Sequence, residues 1–148
     1  MLEPGAPLPV LTVRDDTGAE ISTGDLLGRQ LVLYFYPKDD TWGCTKEATQ
    51  FRELYEGFRR KDTQLVGVSR DSVESHRLFK EKYLIPFRLL ADVESRLCDA
   101  FGVIVDENIY GKNAIQRSTF LFDPMGNLIR VWPKVTVMGH ADEVLRAL

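Results

Sequence analysis

Hydrophobic and polar positions change period along the chain, and these changes predict strands followed by helices. Residues 31–36 form a continuous apolar, β-rich run that ends at Pro37, which is typical of a buried central strand. Residues 45–58 instead place apolar side chains at three- and four-residue steps, as an amphipathic helix does. A second buried strand is predicted over 65–69, and a second helix, capped by an Asp-Ser pair, over 71–83.

The rest of the chain continues this alternation. Further elements are predicted as a hairpin within 8–21, a short turn or helix over 22–28, a strand over 87–90, a short helix over 93–101, a hairpin over 117–132, and a last helix from His140 or Asp142 to Leu148. A βαβ beginning followed by an antiparallel ββα end predicts an α/β sandwich. We expect one domain over residues 1–148, because the chain has no linker, repeat or low-complexity segment.

Composition narrows the possible partners. The net charge of −3 comes without a basic stripe, so the sequence predicts no nucleic-acid partner. No apolar run approaches the roughly 18 residues that a membrane span needs, so no membrane partner is predicted. The first residues lack the charged and apolar regions of a signal peptide, and two distant cysteines do not form a disulfide framework. We therefore expect a protein of the reducing cytoplasm.

Cys44 is the strongest candidate for a reactive side chain in the sequence. It lies one helical repeat before Ala48, so it is predicted on the inward face of the first helical turn. Unpaired N–H groups and the helix dipole favour a thiolate at that place, which is typical of a reactive cysteine. The alternative is a small buried hydrophobe, but the Pro, Thr and Gly in residues 37–43 favour a ligand-holding loop. Carboxylates pointing at the sulfur would oppose its ionisation, so Asp39 and Asp40 are expected to face solvent.

The segment from Tyr34 to Ala48 resembles the active-site segment of peroxiredoxins. Within the alkyl hydroperoxide reductase/thiol-specific antioxidant family it most resembles the bacterioferritin comigratory protein (Q-type) subfamily. The family pattern Pro-x-x-x-Thr/Ser-x-x-Cys is matched by Pro37, Thr41 and Cys44. Further likeness lies at 9–18, 87–92, 101–103 and 117–123. The resemblance implies a thioredoxin-like fold, with a central mixed sheet between helices and an N-terminal β-hairpin extension.

The resemblance also implies a thiol-dependent peroxidase that reduces hydrogen peroxide and organic hydroperoxides. Cys44 would be the nucleophile and would become a sulfenic acid. The Thr41 hydroxyl suits contact with the peroxide oxygens, and Pro37 would shield one side of the sulfur. The resemblance places the required cation at Arg117, which the residues alone would assign to a solvated surface. Glu47 is a candidate to orient that guanidinium, or simply a favourable charge at a helix N-terminus.

The chain departs from the subfamily in how the sulfenic acid would be resolved. Many members carry a second cysteine five positions after the first, where this chain has Thr49. Cys98 is the remaining internal candidate, but it falls on the apolar stripe of a short predicted helix and is expected to be packed and inert. We therefore expect a one-cysteine cycle with an external thiol reductant of thioredoxin, glutaredoxin or low-molecular-weight type. Trp42 replaces a usual proline and could narrow the pocket mouth or offer a contact surface.

Other chemistries find less support. His76 is expected to pack on its helix, and His140 to cap the last helix or be exposed, so neither predicts a Cys-His hydrolase. Scattered Cys and His residues predict no metal, and the absence of a Gly-rich phosphate loop predicts no cofactor. By analogy with the subfamily we expect a monomer. The alternative function is a non-turnover peroxide sensor or redox-regulated binding protein on the same fold.

Overall fold

The computed structural model describes residues 1–148 of the chain. In chain order the elements are β1 (Thr12–Asp15), β2 (Glu20–Ser22), a 3-10 helix (Thr23–Leu26), β3 (Gln30–Phe35), α1 (Trp42–Arg60), β4 (Thr63–Ser69), α2 (Val73–Tyr83), β5 (Arg88–Ala91), α3 (Arg96–Phe101), β6 (Ile104–Asn108), β7 (Gly111–Ile115), β8 (Ser118–Phe122), β9 (Leu128–Trp132) and α4 (His140–Arg146). None of the helices combines the length and apolar character needed to span a membrane.

Seven of the strands form one mixed sheet in the order β2-β1-β5-β4-β3-β8-β9. Strands β3, β4 and β5 run parallel, as expected for strands joined by the crossover helices α1 and α2. Strand β8 joins β3 in antiparallel register, and the β1–β2 hairpin extends the opposite side through β5. The predicted α/β architecture, a central mixed sheet between helices with an N-terminal hairpin, is confirmed.

The central strand β3 is buried on both faces because its side chains alternate between two apolar clusters. Val32 and Tyr34 face the cluster built with helices α1, α2 and α4. Leu31, Leu33 and Phe35 face the other cluster, which is built with α3 and the β6–β7 hairpin. The continuous apolar run in the sequence therefore reflects a strand covered on both sides.

Two stretches differ from the sequence-based prediction. The helix expected over 93–101 begins only at Arg96, because Ser95 adopts a left-handed conformation with φ 62°. Residues 104–115 were not predicted as strands, yet they form the hairpin β6–β7, which is a separate two-stranded sheet. This hairpin lacks a hydrophobic alternation because its outer residues, such as Asp106 and Glu107, are exposed.

Candidate active site

Cys44 lies in the first turn of α1 and is 1% exposed. Thr41 precedes the helix in an extended conformation, and its carbonyl accepts the first bond, from Thr45 N at 2.9 Å. The N–H groups before that bond have no partner within the helix, and they point toward its start, where the sulfur lies. Local sequence therefore places the thiol where a negative charge is stabilised.

Arg117 immediately precedes β8, the strand that pairs with β3 on the side opposite β4. The antiparallel register pairs Ser118 with Phe35, so Arg117 emerges beside the loop that follows β3. Its Nη2 atom donates to Cys44 Sγ at 3.4 Å, and its Nη1 atom donates to Glu47 Oε1 at 2.7 Å. Burial alone would lower the pKa of Arg117, but the charges of Glu47 and Cys44 raise it, so the guanidinium remains a fixed cation.

Glu47 lies close to one helical turn after Cys44, which puts both side chains on the same face of α1. It is 1% exposed, and its Oε2 atom has no hydrogen-bond partner. Burial raises the pKa of Glu47 to about 7, against the opposing effect of Arg117. A carboxylate that holds a catalytic cation is thus itself close to protonation near neutral pH.

Tyr110 completes the site, and sequence reasoning missed it. It lies in the turn between β6 and β7, and its hydroxyl accepts a hydrogen bond from Arg117 Nη2 at 3.1 Å. The same hydroxyl lies 4.0 Å from Cys44 Sγ and beside the Thr41 side chain. The only signal in the sequence was an aromatic residue directly before Gly111.

The loop between β3 and α1 supplies the other predicted residues, Pro37 and Thr41. The Thr41 hydroxyl does not cap α1; it donates to the Lys38 carbonyl at 2.8 Å, which leaves its lone pairs available on the side of Tyr110. Pro37 is half-buried at the end of the central strand. Trp42 is 75% exposed at the start of α1. Pro37, Thr41, Cys44, Glu47 and Arg117 are therefore gathered at one end of β3.

The expectation that Asp39 faces solvent is wrong. Asp39 is 7% exposed and accepts hydrogen bonds from the Tyr36 hydroxyl at 2.6 Å and the Ser75 hydroxyl at 2.8 Å. The Nδ1 atom of His76 lies 2.7 Å from Oδ2 of the same carboxylate. These hydrogen bonds keep the Asp39 carboxylate buried and oriented toward Tyr36, Ser75 and His76. Its neighbour Asp40 is exposed, as expected.

The sequence-based expectation of burial is confirmed for His76, whereas the expected exposure of His140 is wrong. His76 is fully buried on α2, as expected, and burial would lower its pKa, but the hydrogen bond and charge of Asp39 raise it. His140 begins α4 but is 4% exposed, so exposure was the wrong expectation. Its Nε2 atom lies 2.7 Å from Thr119 Oγ1, and burial lowers its pKa to about 4. Neither histidine makes the hydrogen bond to the sulfur that a Cys-His pair requires.

Three side chains outside the Cys44 site lie at the spacing of metal ligands. Ligand atoms of Asp39, Asp71 and His76 lie within 4.8 Å of one another. Asp71 accepts from the Ser69 hydroxyl at 2.5 Å and from Asp39 N at 2.9 Å, so the group already forms a hydrogen-bonded network. These hydrogen bonds account for the close approach of the three side chains, and the charge of Asp39 raises the pKa of His76.

Cys98 is fully buried and belongs to the apolar cluster on the α3 face of the sheet. Cys44 belongs to the cluster on the α1 face, so the central sheet lies between the two thiols. Burial, assisted by the nearby Asp92 carboxylate, raises the pKa of Cys98 and keeps it a neutral thiol. Both cysteines are free.

Comparison with known proteins identifies the family of the chain. The AhpC/TSA family model matches residues 4–131. The chain is 46% identical to a putative peroxiredoxin bcp of Coxiella burnetii, over 99% of both chains, and 46% identical to peroxiredoxin Bcp of Bacillus subtilis, over 99% of this chain and 95% of the relative.

Solved structures give the same result for the fold. A mutant of Xylella fastidiosa PrxQ superposes with a TM-score of 0.94 at 36% identity, covering 99% of this chain and 95% of that one. The bacterioferritin comigratory protein of Xanthomonas campestris, studied for alkyl peroxide reduction, gives a TM-score of 0.87 at 44% identity and covers 93% and 88%. These likenesses confirm the thioredoxin-like fold. The chain belongs to the AhpC/TSA family as a peroxiredoxin of the Bcp and Q type, and is a thiol-dependent peroxidase.

Proposed function

We propose that the chain reduces hydrogen peroxide and small organic hydroperoxides by a one-cysteine cycle, in which an external thiol regenerates Cys44. The observation that carries this proposal is the guanidinium of Arg117, 3.4 Å from the sulfur and held by Glu47 at 2.7 Å. A fixed cation beside a thiol at a helix N-terminus favours the nucleophilic thiolate. The Xanthomonas campestris relative, studied for alkyl peroxide reduction, supports the choice of substrate class.

In the first half of the cycle, the Cys44 thiolate attacks one peroxide oxygen and becomes a sulfenic acid as the O–O bond breaks. Arg117 can hold both the thiolate and the oxygen that gains charge. The Thr41 hydroxyl has lone pairs free for the peroxide, since its proton is donated to the Lys38 carbonyl. We assign Pro37 the role of shielding the sulfur at the end of β3.

The second half of the cycle needs a thiol from outside the chain. Thr49 stands where many members of the subfamily have a resolving cysteine, and Cys98 lies beyond the central sheet as a buried neutral thiol. Thiol exchange requires access and a thiolate, and Cys98 has neither. The reductant is therefore of thioredoxin, glutaredoxin or low-molecular-weight type. The exposed Trp42 offers it a contact surface beside the sulfur.

Intact mass after one equivalent of peroxide tests the cycle. We expect one oxygen added to the wild-type chain, the same product in Cys98→Ser, and none in Cys44→Ser. A loss of two hydrogens in the wild type, abolished in Cys98→Ser, would mean a Cys44–Cys98 bond and would overturn the one-cysteine cycle. With excess dithiothreitol, continued peroxide consumption is expected; arrest after one equivalent would identify a sensor instead of an enzyme.

We also propose that this cycle runs in the reducing cytoplasm with a monomer as the working unit. The proposal follows from a peroxidase that carries two free thiols and depends on a thiol supply. Sedimentation of the reduced and the peroxide-treated protein tests the second part. We expect a single species with the mass of one chain in both states, whereas a dimer in either state would contradict it.

A further inference from the structure

The turn between β6 and β7 carries a hydroxyl that the proposed cycle has not used. The Tyr110 hydroxyl lies 3.1 Å from Arg117 Nη2 and 4.0 Å from Cys44 Sγ. The turn itself is ordered by Asn108, whose side-chain oxygen accepts from Tyr110 N at 2.8 Å and whose amide donates to the Ile115 carbonyl at 3.0 Å. The hairpin therefore positions the phenol at the sulfur.

The backbone opposite Tyr110 leaves room for this approach. A Cβ atom on Gly43 would lie 3.2 Å from the Tyr110 hydroxyl and 3.1 Å from Arg117 Nη2. The phenol thus reaches the start of α1 at a position without a side chain. Two independent elements, the hairpin turn and the first helical turn, fit together around the same hydroxyl.

When the leaving group is hydroxide or an alkoxide, a proton given to the leaving oxygen helps to break the peroxide bond. Arg117 cannot give one, because a guanidinium stays protonated. The Thr41 proton is donated to the Lys38 carbonyl, and Glu47 faces Arg117 through Oε1. Tyr110 accepts from Arg117 Nη2, so its own proton remains available, and its hydroxyl oxygen lies 4.0 Å from the sulfur.

The distance from the Tyr110 hydroxyl to the Cys44 sulfur suits a proton donor to the leaving oxygen. Reacting atoms approach to about 3 to 3.5 Å before attack, and the leaving oxygen lies one bond length beyond the attacked one. A hydroxyl 4.0 Å from the sulfur can stand beside that second oxygen at hydrogen-bond distance. The hydroxyl is also close enough to Arg117 for the guanidinium to stabilise the phenolate.

We propose that Tyr110 is a catalytic residue that donates its hydroxyl proton to the oxygen leaving the peroxide. The thiolate of Cys44 forms the S–O bond with one oxygen, the O–O bond breaks, and its electron pair goes to the leaving oxygen. Sulfur is oxidised to sulfenic acid, the peroxide is reduced, and the leaving oxygen takes the Tyr110 proton to become water or an alcohol. The phenolate then regains a proton from water. This inference rests on the proposed peroxidase cycle.

The pKa of Tyr110 is expected to fall as the reaction proceeds, which favours proton transfer from its hydroxyl. Burial and the negative charge of Cys44 raise the pKa of Tyr110, which keeps the phenol protonated before attack. The attack consumes that negative charge, because the sulfenic acid is neutral. Arg117 stays beside the hydroxyl and lowers its pKa, so proton transfer becomes easier as the S–O bond forms.

The test uses peroxides that differ in their need for a proton. Hydrogen peroxide and tert-butyl hydroperoxide release hydroxide or alkoxide, whereas peracetic acid releases a carboxylate that is stable as an anion. We would measure single-turnover oxidation of Cys44 by each, using tryptophan fluorescence with no reductant present, in wild type, Tyr110→Phe and Ile109→Ala. Ile109 is the matched control, since it is the neighbouring turn residue and is 95% exposed.

In Tyr110→Phe we expect the rate constants for hydrogen peroxide and tert-butyl hydroperoxide to fall about 10- to 100-fold. The rate constant for peracetic acid should stay within about twofold of wild type, and Ile109→Ala should match wild type for all three. An equal fall for all three oxidants, no fall, or a faster reaction would each overturn the proton-donor role. A wild-type Cys44 that reacts with none of them would instead refute the peroxidase cycle itself.

Discussion

Nη1 of Arg117 lies 2.7 Å from Oε1 of Glu47, and this ion pair is almost completely buried. It joins the residue before β8 to the first turns of α1, which are 70 positions apart in the chain. Breaking a buried pair by removing one charge is costly, because the other charge is left without compensation. The pair therefore fixes the direction in which the guanidinium meets Cys44.

Replacing Glu47 by Gln should flatten the pH dependence of stability. Burial raises the pKa of Glu47 from its ordinary value of 4.5 to about 7, so the folded state binds more protons than the unfolded state between these values. The free energy of unfolding of wild type should therefore fall as pH rises through this window, by up to about 3 kcal/mol relative to Glu47→Gln. Urea unfolding at about pH 5 and about pH 8 measures the difference.

The exposed Glu53→Gln provides the control, because Glu53 lies on the same helix and is 68% exposed. Its stability should follow wild type across the same pH range. A Glu47→Gln variant whose curve runs parallel to wild type would show that Glu47 keeps the same protonation state in both folded and unfolded chains.

Replacing Arg117 by Lys should slow Cys44 oxidation about 100-fold, although the charge is kept. An ammonium is a single point charge, whereas the guanidinium donates to Glu47 through one nitrogen and to Cys44 and Tyr110 through another. Single-turnover oxidation by hydrogen peroxide is the measurement. Arg29→Lys, at an exposed arginine far from the site, should react at the wild-type rate. Wild-type kinetics in Arg117→Lys would mean that charge alone is sufficient.

The sequence predicted the nucleophile on physical grounds, but not its cation. The strand ending at Pro37 and the helical periodicity after Cys44 are local patterns, so they could be seen in the sequence. Arg117 reaches the sulfur only through the β3–β8 register, and without the family resemblance it was indistinguishable from a surface arginine.

Tyr110 and Asp39 were missed for a related reason. The Tyr110 hydroxyl meets a sulfur 66 positions earlier, from a hairpin whose polar surface gives no strand pattern. Asp39 is buried because Ser75 and His76, on a separate helix, hold its carboxylate. Charge and turn propensity alone predict an exposed aspartate, since they carry no information on partners distant in sequence.

Replacing His76 by Gln should destabilise the protein most at mildly acidic pH. Burial alone would lower the pKa of His76, but its bond to Asp39 raises it above 6.5. The stabilisation is therefore complete below about pH 6.5 and is lost as pH rises through the folded-state pKa. Near pH 6 we expect His76→Gln to lose about 3 kcal/mol, because Asp39 keeps a buried charge without its cation.

Urea unfolding of His76→Gln at about pH 6 and about pH 9 is the measurement, and the deficit relative to wild type should shrink at the higher pH. Asp39→Asn should remove the same pH dependence, whereas Asp40→Asn, at the exposed neighbour, should keep it. A deficit that is constant across this range would mean that the histidine is neutral in the folded protein.

Replacing Gly43 by Ala should separate activity from stability. Gly43 has ordinary helical φ in the first turn of α1, where alanine is favoured, so the free energy of unfolding should be unchanged or rise by up to about 1 kcal/mol. The new Cβ would lie 3.1 Å from Arg117 Nη2 and 3.2 Å from the Tyr110 hydroxyl, which must both shift. Because small displacements of catalytic groups are costly, we expect peroxide oxidation of Cys44 to slow about 10-fold.

Gly24→Ala is the control, since its Cβ would make only ordinary contacts at 3.5 Å or more, and it should react like wild type. Wild-type kinetics in Gly43→Ala would show that the reaction tolerates a displaced guanidinium and phenol. A large loss of stability would show that the added methyl group disturbs the packing of α1 and not only the two catalytic groups.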